Sequence, residues 1–394
     1  MQKILFITWD GPQTSYMEGL FLPIFNEINK TEPIVFHVIQ FTWADESKIS
    51  SIKKIADSFG ITYSAYPIRR KPTALLGSLL TLFQGKSYLQ TYIKKHKIDV
   101  VMPRSTMPAV MVNRLKLKSC KIVFDADGLP LEERVDFSGL SKTSKQYQWL
   151  KGEETKLLLK ADGILTRSQK AIAIHLKTIG DAYRDKFTVV FNGRNPDFFK
   201  TDASQKKAIR KTLGISEDDF VFVYCGSLGP QYGWDEMLAI FKRYHEKKPT
   251  AKFLILSGNP EFVTAKIPDA MRNNIVVKSV PFVEVPQYLA AADIAFAIRK
   301  PTFSMQGVAP IKLGEYLLMG LPTIASAGIG DTEAVLEGVP GTFLFDHSDA
   351  HAIEKAVTFA VNLNYDATRI RETGEKYFSL KKSAESYCRP FQKL

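Results

Sequence analysis

The strongest constraint on the fold is an alternation that runs through nearly the whole chain. Short apolar runs of strand length are separated by stretches whose apolar residues recur at helical spacing. Lys3–Thr8 reads as a strand; after the loop WDGPQTSYMEG comes a helix with Leu20, Phe21, Ile24, Phe25 and Ile28 on one face. Ile34–Gln40 and Ile61–Tyr66 continue the series. Val100–Met102 and Ile122–Phe124 each follow a basic helix, and Ile164–Thr166 and Val189–Phe191 close the half. The pattern restarts after Asn192-Gly193, with strands expected at Phe220–Tyr224, Phe253–Leu256, Ile275–Val277, Ile294–Ile298, Thr323–Ala325 and Phe343–Phe345. Strands apolar along their whole length, joined through helices, mean parallel sheets covered on both faces. Ligands of such sheets bind beyond the carboxyl ends of the strands. A chain of 394 residues exceeds one ordinary core. The run NPDFFKTDAS breaks both periodicities, so we place one domain at 1–197, a second at 198–378 and a closing segment at 379–394.

Composition narrows the class. Apolar residues at 45% and charged residues at 24% are ordinary for a globular protein, and no apolar run is long enough to cross a membrane. The strand KILFITW begins at the third residue without the layout of a signal peptide. Cys120, Cys225 and Cys388 are odd in number and far apart, which reads as reduced thiols. Both observations favour a cytoplasmic location. The net charge of +12 is concentrated: residues 51–120 hold thirteen Lys and Arg (Lys118 among them) against Asp57 and Asp99. Thr73–Phe83, TALLGSLLTLF, lies inside that stretch. A nucleic-acid surface lacks any accompanying signature. A plain solvated face is one remaining reading, and a surface resting on anionic lipid is the other.

The most informative stretch for function is Ser304–Ser326, SMQGVAPIKLGEYLLMGLPTIAS. Pro310 suits the first position of a helix, Gly320 a left-handed cap at its end, and Thr323–Ala325 a buried strand. Unpaired N–H groups at such a helix start favour an anion, and Lys312 adds a full charge in the first turn. One turn on, Glu315 supplies a carboxylate, which a phosphate does not need and a ribose or sugar diol does. The alternative is a surface or salt-bridged glutamate. Together these residues describe a pocket for a nucleoside diphosphate. Gly226-Ser227-Leu228-Gly229, after the first strand of the second half, lets the backbone approach a pyrophosphate, although a turn glycine explains it equally well. Val280-Pro281-Phe282 reads on composition alone as core.

The run P-x-K-x-x-E-Y-L-x-x-G-x-P from Pro310 to Pro322 resembles the nucleotide-sugar signature of bacterial glycosyltransferases of family 4. FNGRNPDFF, YCGSLGPQYGW and VPFVEVPQYLAAADI match in the same order. The resemblance covers most of residues 1–380, more strongly in the second half. It implies a GT-B fold: two Rossmann-like, doubly wound α/β domains facing a central cleft, with the C-terminal helix crossing back to the first domain. It implies retaining transfer from a nucleotide-diphosphate sugar, most simply a UDP sugar, to a hydroxyl of a lipid-linked saccharide in surface polysaccharide synthesis. Lipid-linked acceptors favour the peripheral-membrane reading of the basic stretch.

The resemblance also assigns residues. Gly226, Ser227, Val280, Pro281, Phe282, Arg299, Gln306, Lys312, Leu313 and Glu315 would bind the nucleotide sugar, with the base against Val280–Phe282. Asp10, Arg104, Asp125, Asp127 and Glu132, with Glu133 less well placed, would bind the acceptor; Asp127 and Lys312 would act in catalysis. A plain turn explains Asp10 as well, and Arg104 fits the basic stretch as well. Relatives carry an Arg and a Lys where this chain has Ser227 and Tyr232, which throws the diphosphate onto Lys312 with Arg299 or Lys300. They carry a glutamate where it has Gly307, and a histidine in the Asp127 neighbourhood where it has none. Asp125-x-Asp127 mimics the metal motif of a different transferase fold, GT-A, but the nucleotide signature lies far downstream, so no metal and no other cofactor is expected. In a front-face reaction the departing phosphate oxygen takes the acceptor proton. Two alternatives share the fold: a sugar-nucleotide epimerase or hydrolase, and a non-catalytic scaffold.

Overall fold

A computed structural model describes residues 1–394 except 118, 202 and the side chain of 203. Lys118 of the basic stretch therefore lies outside the described residues. The chain divides into two compact units, Met1–Phe191 with Ser383–Leu394, and Asn192–Lys382. The division falls upstream of the expected 197/198.

The first unit holds a seven-stranded sheet, all parallel, in the order β3-β2-β1-β4-β5-β6-β7. Its strands are β1 (Gln2–Asp10), β2 (Ile34–Thr42), β3 (Thr62–Pro67), β4 (Val100–Pro103), β5 (Lys121–Asp127), β6 (Gly163–Thr166) and β7 (Phe187–Val189). β7 lies upstream of the expected Val189–Phe191, because its partner β6 ends at Thr166, whose carbonyl takes the Val190 N–H and closes the ladder there. The helix before β5, Thr106–Val112, is apolar and almost wholly buried rather than basic; Arg114 and Lys116 follow it. The loop after β1 leads into a π-helical turn, Met17–Phe21, and the helix Leu22–Asn29. These bury Phe21 and Phe25 against Phe6 and Phe36, with Phe25 and Phe36 stacked at 4.2 Å between centroids.

The C-terminal segment completes this unit. Tyr387 is fully buried, Phe391 meets Phe36 edge-on, and Gly163 leaves room for Pro390, whose Cβ a side chain there would meet at 2.8 Å.

The second unit repeats the design with six parallel strands in the order β10-β9-β8-β11-β12-β13. They are β8 (Val221–Cys225), β9 (Lys252–Leu256), β10 (Ile275–Lys278), β11 (Ile294–Ala297), β12 (Thr323–Ser326) and β13 (Thr342–Phe345). Phe222, Phe241, Phe253 and Phe296 form its aromatic centre. Side-chain caps start several helices of the chain: Thr73 before Ala74–His96, Ser168 before Gln169–Ile179 and Asp366 before Ala367–Phe378. Among the described residues no helix is long and apolar enough to cross a membrane.

Candidate functional site

In the second unit the strand order turns between β8 and β11, which makes their carboxyl ends the place for a ligand. Gly226 follows β8 with φ +133°, a conformation only glycine holds easily. A Cβ there would stand 2.0 Å from Lys312 Cε, so a side chain at this position would displace the end of Lys312. The Lys312 ammonium lies 4.2 Å from the ring centre of Tyr224 and 3.9 Å from that of Tyr232. It donates to Tyr224 Oη and to the Ser227 carbonyl. Arg299, just past β11, rests its guanidinium on Tyr232 at 4.8 Å. Burial, with repulsion from Arg299 behind it, holds the Lys312 amine well below the ordinary lysine range. The faces of the two tyrosines offset part of that cost. Lys312 and Arg299 thus meet on one tyrosine.

The helix Ile311–Leu318 starts one residue after Pro310 and ends before Gly320 at φ +66°, a left-handed cap as the sequence implies. Glu315 on it is 6% exposed, and it has a protein partner: Arg194 Nε donates to Glu315 Oε1 at 2.8 Å. The salt-bridged alternative is therefore what the structure contains. Arg194 also lies 5.4 Å over the ring of Phe282. Phe282 is 46% exposed and stacks on Phe198 at 5.4 Å; Pro281 is exposed and Val280 half-buried. The core reading of Val280–Phe282 fails because the segment leaves β10 through a short 3-10 turn at the sheet margin. Gln306 donates to the Phe303 carbonyl, and neighbouring Gly307 is buried. The Leu313 side chain points into the core at 1% exposure, leaving its backbone as the part a ligand can reach.

The first unit carries a second cluster, at the carboxyl ends of β1, β4, β5 and β6, where its strand order also turns. Asp10 closes β1 and accepts from Thr8; Arg104 follows β4 and Arg167 follows β6. Arg104 Nη2 meets Asp127 at 2.6 Å and its Nη1 lies 3.8 Å from Asp10. Arg167 Nη2 meets Asp125 at 2.9 Å and its Nε lies 3.2 Å from Asp127. Asp127 holds φ +62° at an irregularity in the β5–β6 register, and Thr166 Oγ1 donates to its carbonyl at 2.8 Å. A bulge of this kind re-aims a side chain, and it turns Asp127 toward both arginines. Burial alone would raise the Asp127 carboxyl, but Arg104 and Arg167 together hold it below the usual carboxylate range. Arg104 Nε and Arg167 Nη1 are buried donors without a hydrogen-bond acceptor among the described residues. Tyr387, from the C-terminal segment, donates to Asp125 at 3.5 Å.

Arg104 is thus part of this cluster and not of a basic surface. Glu132 stands apart, buried between Lys151 at 3.0 Å and the hydroxyl of Tyr147. Among the described residues no group of three His, Cys, Asp or Glu is arranged to hold a metal ion; Asp125 and Asp127 face arginines. Sequence reasoning missed Arg167, Arg194, Tyr224 and the role of Tyr387. Arg167 had a signal, a charge directly after the buried strand ILT, and so had Arg194, directly after the Asn-Gly that ends the first half. Tyr387 had none, since nothing local ties residue 387 to residue 125.

Residues 205–377, which lie within the second unit, match the family described as Glycosyl transferases group 1. The alpha-monoglucosyldiacylglycerol synthase of Acholeplasma laidlawii is 24% identical over 227 residues, 56% of this chain. The match takes in 52% of that protein, so the chain spans about half the length of this curated relative. The Anabaena protein HepE, solved in complex with UDP and glucose, superposes with a TM-score of 0.72 at 16% identity over 100% of both chains. A glycosyltransferase from Rickettsia africae gives 0.71 at 15% identity, over 100% of this chain and 98% of that one. At these identities the likeness shows the fold, which is GT-B.

Proposed function

We propose that the protein is a retaining glycosyltransferase that moves a sugar from a UDP sugar to a hydroxyl of a lipid-linked saccharide. The observation that carries this reading is the turn point of the second sheet: a glycine loop, two cations gathered on Tyr232, and a buried carboxylate one turn into the next helix. Lys312 and Arg299 would take the diphosphate, Glu315 the ribose, and the exposed face of Phe282 the base. HepE, of the same fold, was solved with UDP and glucose, which supports a UDP donor here. As the bond to the leaving group breaks, negative charge builds on the diphosphate. Preorganised donors at that point typically contribute about 3–4 kcal/mol of barrier each. Lys312 leaving its tyrosine cage for a phosphate would be such a donor, and the reading needs no metal. The acceptor hydroxyls would meet Asp127 and Arg104, whose Nε has no hydrogen-bond acceptor among the described residues.

A lipid-linked acceptor in surface polysaccharide synthesis gains support from one surface feature. On the helix Ala74–His96, Leu75, Leu76, Leu80 and Phe83 are 42–70% exposed, beside exposed Arg69, Arg70 and Lys71. An apolar ridge flanked by cations suits an anionic bilayer, and we place the protein there as a peripheral, cytoplasmic enzyme.

The test is transfer of labelled sugar from a panel of UDP sugars into a bacterial lipid extract. Labelled glycolipid supports the reading. Epimer or free sugar formed without lipid would favour the epimerase or hydrolase alternative, and nucleotide binding without turnover the scaffold. In vesicle flotation, Phe83→Asp should weaken binding to phosphatidylglycerol vesicles several-fold; equal flotation of the variant would remove the membrane assignment.

A further inference from the structure

We propose that Arg194 is the positioning residue for Glu315, so that a ribose is read by a fixed Arg194–Glu315 pair and not by a lone glutamate. The inference rests on the reading of Glu315 as the ribose contact.

Three features make Arg194 a fixed strut. Its backbone is held from both sides: its N–H donates to the Phe378 carbonyl at 2.8 Å, and its own carbonyl accepts from Leu380 at 2.7 Å. Its guanidinium is caught between the Glu315 carboxylate at 2.8 Å and the Phe282 ring at 5.4 Å. Both side chains of the pair are nearly closed off, at 13% and 7% exposure. Among the described residues, the other titratable groups facing Glu315 are Cys225, at the end of β8, and Lys312 and Tyr316 on its own helix. Lys312 is engaged with Tyr224 and Ser227. The ion pair that holds Glu315 is therefore the one with Arg194.

The chemistry follows from which oxygen is used. Arg194 Nε occupies Oε1 and sets the plane of the carboxylate, so the hydroxyls of a ribose meet an acceptor whose direction is already fixed. A preorganised acceptor discriminates by the presence of the hydroxyl, because a missing one leaves a buried polar group unpaired. If Arg194 only stabilised the fold, its loss would weaken all nucleotides alike.

The experiment compares UDP with 2′-deoxy-UDP by calorimetry on the full-length wild type and on Glu315→Gln, Arg194→Gln and Arg194→Lys. Wild type is expected to prefer UDP by about tenfold, the effect of one good hydrogen-bond pair. Glu315→Gln should abolish that preference. Arg194→Gln should reduce it to about twofold while leaving 2′-deoxy-UDP nearly unchanged, and Arg194→Lys should fall between, since an ammonium keeps the charge without the planar fork. An Arg194→Gln protein that keeps the wild-type preference, or loses both ligands equally, would overturn the proposal. Should Arg194→Gln fail to fold, Arg194→Lys decides by the same ratio. If wild type shows no preference, or Glu315→Gln retains it, the reading of Glu315 itself fails, an outcome distinct from failure of the Arg194 role.

Discussion

At the scale of single residues, the site is built by close approach and by charge pairing. Gly226 illustrates the first: its missing side chain is the space that Lys312 fills. Gly226→Ala should weaken UDP binding by roughly tenfold or more, corresponding to about 1.4 kcal/mol or above. The same change should cost less in a Lys312→Ala background, where the colliding chain is gone; equal costs in both, by calorimetry, would show that the collision does not matter. Asp127 illustrates the second. Its folded carboxyl is held below the usual range, so its pairing stabilises the protein fully above the unfolded value of about 3.9. That contribution is lost as pH falls through and below this value. Asp127→Asn should therefore flatten the acid limb of a plot of melting temperature against pH below about 4. An unchanged limb would show that the arginines add nothing at this site.

At the scale of elements, tertiary packing overrides local preference. Gly314 sits inside the helix Ile311–Leu318, where alanine is intrinsically better by about 1 kcal/mol. A Cβ there would lie 2.6 Å from the Phe378 ring, and overpacking of that kind typically costs about 1–3 kcal/mol. Gly314→Ala should therefore destabilise the protein in urea unfolding; a rise in midpoint would mean the ring moves freely. The long helix Ala74–His96 makes a related point. It is apolar on its buried side and, at Leu75, Leu76, Leu80 and Phe83, on its open side too. Its sequence period alone could not say which face was which. Likewise Val280–Phe282 looks like core by composition and ends at the margin of its sheet, because the strand stops at Lys278.

At the scale of the whole molecule, each unit presents its chemistry at the point where its strand order turns, and the C-terminal segment is part of the first unit's core. Tyr387→Ala should cost about 3–5 kcal/mol as a large buried ring is deleted, and Tyr387→Phe about 1 kcal/mol for its hydrogen bond, both read by thermal unfolding. A Tyr387→Ala protein as stable as wild type would show that the segment is not held there. Alternation of apolar runs determined the parallel sheets and the thirteen strands found among the described residues to within a few residues, because strand burial and helix amphipathicity are local periodicities. The run from Pro310 to Pro322 likewise determined a helix start, a cap and the residues Lys312 and Glu315, because those are set by neighbours in sequence. Tertiary structure alone decided the partners. Arg194 reaches Glu315, Arg167 reaches Asp125 and Asp127, and Tyr387 reaches Asp125. Each contact joins residues far apart in the chain, and pairing energy at a few ångströms depends on where the fold delivers two charges, which no local pattern records.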